Sequence, residues 1–311
     1  MISRGKAVEQ QFAGQTTRDL VRPGARRRRS RVLEVGGRLL REKPLGLLGA
    51  IIVCTLLGTA ICADVIAPYG YAETSLRQRF RPSSAEHWLG TDQLGRDLLS
   101  RIIHGTRVSL SVSLGATALG ILLAVLIGVT SAFFGGRYDL GVQRFVDAWE
   151  AFPGLLLLLT IMSLLGPGLF KVMAVLGLSF GIQNSRIIRG VALSVKENAY
   201  IEAAQAFGSS SLRIMLWHIL PNVAAIIIVV ATIGLGNLIL IEASLSFLGF
   251  GVPPPHPTWG GMLSLQGVSY MYQAPWLAIW PGVALSAAVF GFNMFGDALR
   301  DLLDPRLRGG R

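Results

Sequence analysis

Apolar residues in this chain gather in long uninterrupted blocks instead of recurring on one face of short helices. A helix needs about 20 apolar residues to cross a hydrocarbon layer of about 30 Å. Six blocks approach or exceed that length: 45–66, 108–134, 145–166, 169–188, 222–247 and 276–298. The pattern predicts an all-α polytopic membrane protein with six transmembrane helices. Only Gly166, Pro167 and Gly168 separate the third block from the fourth, so a tight turn between antiparallel helices is expected there. Val108-Ser109-Leu110-Ser111-Val112-Ser113-Leu114 alternates with the period of a strand. It runs without a break into Leu119–Val129, and a lone strand cannot satisfy its backbone in lipid. A helix is expected, with the hydroxyls bonded to backbone carbonyls or to a neighbouring helix.

The segments between the blocks differ in character. Loop 67–107 is long enough to hold a short helix around Asp97–Ile103 that leads into the second span. Loop 249–275 is uncharged and contains Pro253-Pro254-Pro255-His256-Pro257 ahead of Trp259, Gly260 and Gly261. Proline fixes φ and favours extended chain, so this loop reads as a rigid ledge. Trp276 and Trp280 open the last block at the level where interfacial aromatics sit.

Charge orients the blocks. Of the 29 Lys and Arg, 12 fall in residues 1–44, including the run Arg26 to Arg29. Such a run can bind nucleic acid, but one that abuts a span instead holds that flank in the cytoplasm; no nucleic-acid partner is expected. An N-in, C-in arrangement places 22 basic residues inside and 7 outside, which the charge rule favours. The chain is 51% hydrophobic and only 15% charged, against about 25% charged residues in a soluble domain. Cys54 and Cys62 lie eight residues apart, about 12 Å along one helix, too far for a disulfide and without a metal-ligand pattern. The organisation read from these features is a basic and largely disordered cytoplasmic tail over 1–44, then a first span with its outer loop over 45–107. A core over 108–298 contains the cytoplasmic loop 189–221, and a cytoplasmic tail covers 299–311.

That loop carries the most specific pattern. Ala203, Ala204 and their neighbours favour a helix that Gly208 can end in a left-handed conformation. Ser210 or Ser211 can cap a second helix, which Pro221 is expected to close before the fifth span. Tyr200, Ala203, Ala204 and Phe207 would then form a face that another protein can approach closely. Here the chain resembles the permease subunits of bacterial ABC importers. Their hallmark is Glu-Ala-Ala, three residues, Gly, nine residues, Ile, one residue, Leu-Pro. Glu202-Ala203-Ala204, Gly208 and Leu220-Pro221 fall at that spacing, with His218 in place of the isoleucine. Leu89-Gly90-Thr91-Asp92 with Gly95-Arg96-Asp97, Leu245-Ser246-Phe247-Leu248-Gly249, and Phe292-Asn293 with Gly296-Asp297 through Asp304-Pro305 resemble the C-type subunit of the dipeptide, oligopeptide and nickel branch. The resemblance covers residues 40–308.

The resemblance implies a type I ABC-importer transmembrane domain in the bacterial inner membrane, and a non-catalytic subunit. It implies that Glu202, Ala203, Ala204, Gly208, Leu220 and Pro221 form the loop that couples to separate ATPase subunits. Its partners would be a second homologous permease in a heterodimer, two ATP-binding subunits, an extracytoplasmic substrate-binding protein and membrane lipid. ATP and magnesium would bind the ATPases, and no cofactor this chain. The chain's one Gly-Lys pair, Gly5-Lys6, completes no phosphate-binding loop. Peptides are the expected cargo, with nickel, glutathione or another small solute as the alternative. A secondary transporter would show matched repeats of broken helices, and none is evident. Among intramembrane acids, Asp147 and Glu150 open the third block, with Pro153 as a kink, and Glu242 lies near the outer end of the fifth. They are candidate pathway residues or a proton relay; the plainer expectation is that they reach interfacial water or pair with a basic group. His87, Asp92, Asp97 and His104 match no standard metal spacing, so no metal site is assigned.

Overall fold

A computed structural model describes residues 43–303. The tails read as cytoplasmic from their charge lie largely outside these residues. Helix α1 (Pro44–Ile61) is followed by a single turn, α2 (Ala63–Ile66), and a folded outer segment leads into α3 (Leu98–Phe134). Then come α4 (Gly136–Glu150), α5 (Gly154–Leu165), α6 (Leu169–Lys196) and α7 (Ala199–Ala206). Helix α8 runs unbroken over Ser211–Phe247. The short helices α9 (Trp259–Met262) and α10 (Val268–Tyr270) precede α11 (Trp276–Leu303). Among the described residues the only strand-like pairing is a bridge between Thr91 and Asp97.

Four helices, α1, α3, α8 and α11, are long and apolar enough to cross a membrane, and a fifth crossing is reached if α4 and α5 count as one bent span. Helix α6 has 28 residues, about 42 Å, but carries Gln183, Asn184, Arg186 and Arg189 in its C-terminal half. Length and apolarity alone therefore support fewer than the six expected crossings.

The third block departs most from expectation. The axes of α4 and α5 meet at 87°. Pro153 sits at the break, where it disfavours helix in Phe152 before it. Asp147 and Glu150 accordingly lie at the end of α4, an amphipathic helix, ahead of the break at Pro153. Arg189 of α6 donates from Nε and Nη2 to the two carboxylate oxygens of Asp139, and Arg186 pairs with Asp147 and, at 2.8 Å, with Glu150. These ion pairs hold α4 across α6.

The Val108–Leu114 stretch is helical, as expected, inside α3. Asp97 caps α3 by accepting from Ser100 N at 2.8 Å, and the helix starts at Leu98, ten residues before the predicted block. At its other end Lys196 Nζ donates to Ala132 O and Phe133 O. The tightest helix contact is α3 on α6. A Cβ at Gly177 would lie 2.9 Å from Ala116 O, one at Gly181 2.8 Å from Gly120 O, and one at Gly128 2.6 Å from Ser185 O. Larger residues there would hold the backbones apart. Around this seam sit two apolar clusters, one with Val112, Met162, Val172 and Leu176, the other with Ala124, Ile188, Ile214 and Ile219.

The segment between α2 and α3 gives several of its arginines internal partners. Asp92 accepts from Arg96 Nε at 2.6 Å and lies 3.7 Å from Arg101, which also donates to Tyr71 O. Arg107 donates to Ala60 O and to Asp64. Three of the basic groups thus serve internal structure. Loop 249–275 is no mere ledge. His256 and the prolines at 253–255 are exposed, but Thr258 is buried as the cap of α9, and Trp259 is fully buried against α3.

Candidate functional site

Loop 189–221 is built on an apolar anchor. Ile201 on α7 and Ile214 and Ile219 on α8 are fully buried against Ala124, Val129 and Ala132 of α3 and Ile188 and Ala192 of α6. Helix α7 therefore sits fixed at the ends of α3 and α6. Its own C-terminus is closed by two reversed bonds, Gly208 N to Gln205 O at 2.9 Å and Ser209 N to Ala204 O at 3.0 Å. This double closure requires a left-handed residue, and Gly208 supplies it with φ +77°. A Cβ at Gly208 would meet nothing within 4 Å, so the need for glycine there is conformational and not steric. Ser210 then caps α8 by accepting from Arg213 N.

Beyond that point the second helix does not stop at Pro221, as the sequence suggested. Residues Ile214–Ile219 form a widened π-type stretch, in which Leu220 N bonds back to Met215 O. Proline has no N–H to give and its ring crowds the preceding turn; a wide turn just ahead of it lets the helix continue through. Asn222 Nδ2 donates to His218 O at 2.6 Å and to Tyr200 OH at 3.3 Å, which ties this region to α7. Leu220 and Pro221 are thus joined to the helix that carries Glu202, Ala203 and Ala204. Glu202 and Ala203 are exposed and Ala204 half-buried, while Phe207 beside Gly208 is 90% exposed. An acid, small residues and one bare aromatic ring form a rigid patch at the end of the bundle.

A second feature is a cleft of about 490 Å³ between α6 and α8, walled by Phe180, Ile226, Val230 and Leu238. Its polar groups are the amides Gln183, Asn184 and Asn237, with Arg300 at one end. The sequence reading, directed at acids, passed over these three. Amides inside apolar spans were the signal that could have found them. Of the acids it did name, none lines this cleft. Asp147 and Glu150 have the basic partner expected of them. Glu242 has not: it is fully buried, no ion pair reaches it among the described residues, and it accepts from Ser246 Oγ at 2.6 Å.

An apolar helical bundle with four helices long enough to cross a membrane, and a cleft between α6 and α8, defines an integral membrane protein. The chain belongs to the family described as binding-protein-dependent transport system inner membrane component, which matches residues 107–309. It is similar to the dipeptide transport system permease protein DppC of Alkalihalophilus pseudofirmus, 39% identical over 269 residues, covering 86% of this chain and 88% of that one. It is likewise similar to the oligopeptide transport system permease protein OppC of Bacillus subtilis, 38% identical over 268 residues, with 86% and 88% covered. The glutathione transport system permease protein GsiD of Pectobacterium atrosepticum is 37% identical over 273 residues, with 87% and 90% covered. The chain is a transmembrane permease subunit of an ATP-driven importer.

Proposed function

We propose that this subunit forms half of a translocation pathway for di- or oligopeptides, driven by two separate ATP-binding subunits, one of which docks on loop 189–221. The observation that carries the docking assignment is the patch around Gly208, held rigid from behind by Ile201, Ile214 and Ile219 and exposing Glu202 and Phe207 in front. Phe207 would enter an apolar groove, and Glu202 would meet a basic group at its rim in a charge-assisted contact. ATP and magnesium belong to those partners. Closure of the paired ATPases moves the permeases by rigid-body shifts, without covalent chemistry in this chain.

Peptide cargo is supported by the names of the relatives and by the cleft. An amide side chain both donates and accepts, so Gln183, Asn184 and Asn237 can serve a peptide backbone whatever its side chains. A second, similar permease supplies the opposite wall in a heterodimer, and an extracytoplasmic substrate-binding protein delivers cargo. The assembly sits in the bacterial inner membrane, with this chain N-in and C-in. Co-expression of the subunits tests the proposal. The purified chain alone should neither bind nor hydrolyse ATP, and hydrolysis should appear on assembly with the ATPases. Mass measurement of the intact complex should find one copy of this chain per two ATPase domains; two copies without another permease would overturn the heterodimer.

A further inference from the structure

Helix α4 carries three stripes, and its ion pairs with α6 account for one. Residues 139, 143, 146 and 150 recur at the spacing of a single helix face. On that face Asp139 and Glu150 pair with α6, Gln143 donates to Ser131 Oγ of α3 at 3.2 Å, and Val146 is fully buried. The next face, 138, 142, 145 and 149, is Tyr, Val, Phe and Trp. The bundle leaves it largely bare: Tyr138 and Phe145 are exposed, and Val142 and Trp149 are only half-buried. Phe134 before the helix and Phe152 after it are exposed as well, so aromatic surface runs its whole length. The third face, 137, 141, 144 and 148, is Arg, Gly, Arg and Ala, all exposed. Arg137 has no partner among the described residues, and Arg144 reaches Asp147 at 3.7 Å. Neither bare face holds an acid. Leu140 and Asp147, both exposed, lie on the side opposite the aromatic face.

The helix lies where such a surface meets a bilayer. It begins at Gly136, directly after α3, which is long and apolar enough to span a membrane, has ended at Phe134. Its axis stands at 87° to α5, which is apolar except for Thr160 and Ser163, and both hydroxyls donate to carbonyls of α5 itself. With α5 immersed in hydrocarbon, α4 is turned along the surface of the layer. At that level aromatic rings sit at the acyl boundary and basic side chains beside them reach the headgroups. A protein surface would also accept the rings. Two arginines with no acid on either bare face favour an anionic surface, and a guanidinium takes a phosphate through two parallel bonds. We propose that α4 is an interfacial helix whose aromatic face enters the acyl boundary and whose Arg137 and Arg144 bind the phosphates of anionic phospholipids.

The assignment needs neither the cargo nor the ATPase docking proposed above. In a background lacking both cysteines (Cys54→Ser, Cys62→Ser), Phe145→Cys or Gly141→Cys carries an environment-sensitive dye. A Cβ at Gly141 meets nothing within 4 Å. The full chain, co-expressed with the other subunits of its importer, is placed in phosphatidylcholine vesicles with iodide on both sides or with a trace of spin-labelled lipid. The dye at position 145 should be quenched from the acyl layer, and the dye at position 141 by iodide. Spin-labelled phosphatidylglycerol should quench the former at least about threefold more than spin-labelled phosphatidylcholine, since each arginine near anionic charge gains about fivefold. The preference should vanish in Arg137→Gln/Arg144→Gln with the depth unchanged, and survive in Arg137→Lys/Arg144→Lys. Equal quenching by the two lipids in the parent overturns the assignment. So does a preference that outlasts both Gln substitutions, or a dye at position 145 that iodide reaches and lipid does not. Quenching by neither, the sign of a partner subunit seated on the face, overturns it too. If the lipid results hold while no peptide is taken up, the cargo assignment fails and the lipid contact stands.

Discussion

Gly208 shows how narrow a requirement one position can carry. Its φ is +77°, and the space where a side chain would go is empty. Gly208→Ala should therefore cost only about 1–2 kcal/mol, the penalty for a Cβ in the left-handed region. That strain falls on α7 alone, since Ile201 and Ile214 stay buried. The variant should insert normally, and uptake per ATP hydrolysed should fall in reconstituted vesicles; Gly208→Val, β-branched, should lose more. Unchanged uptake in both would remove this turn from coupling. The need for a left-handed residue was legible in the sequence, because Gly follows a strong helix former at the spacing of a helix end. The burial of Glu242 was not legible. It depends on Trp259 and Gly260 folding back onto α3 and α8, and hydropathy reads each span separately.

At the scale of elements, apolar blocks located most helices, and breaks within blocks were misjudged. Block 145–166 looked continuous because Leu155 to Leu159 dominate it. The decisive contacts are made by its charged residues Asp147 and Glu150, and their partner Arg186 lies on another helix. Pro221 misled in the opposite direction, because a widened turn absorbs it. The Asp139–Arg189 pair gives these contacts a measurable signature. Hydrogen bonding from Arg189, supported by Ser131, holds the Asp139 carboxyl below the usual carboxylate range. The folded-state value is lower than the unfolded one, so the stabilisation is present above the unfolded value of about 3.9 and is lost as pH falls through the folded one. In detergent, acid should release α4 only below about pH 4. Asp139→Asn should leave Arg189 without its ion pair and lower the melting temperature at neutral pH, with the difference from the parent shrinking as the pH is brought down. A difference that holds constant with pH would show that the pair does not fix α4.

For the molecule as a whole, charge gave an expected orientation and the motifs gave the family, while the cleft needed three dimensions. Cysteines placed singly at Gly70 and His256 in the cysteine-free background should be labelled from outside intact cells, and those at Ser30 and Gly309 only after the membrane is opened. Labelling of Ser30 in intact cells would invert the arrangement. His256 is the better outer probe than its neighbour Thr258, which is buried.

The length of α8 has a mechanical meaning. Its 37 residues make a rod of about 55 Å, unbroken from the capped start at Ser211 to Phe247, five residues past Glu242. A jointed segment would absorb a push from the cytoplasmic side at its hinge. A continuous rod would deliver that push to its far end almost undiminished, so under the proposed docking the patch around Gly208 and the seat of loop 249–275 are two ends of one lever. The widened turn at Ile214–Ile219 is the place where its regular bonding changes, and it lies beside the patch around Gly208.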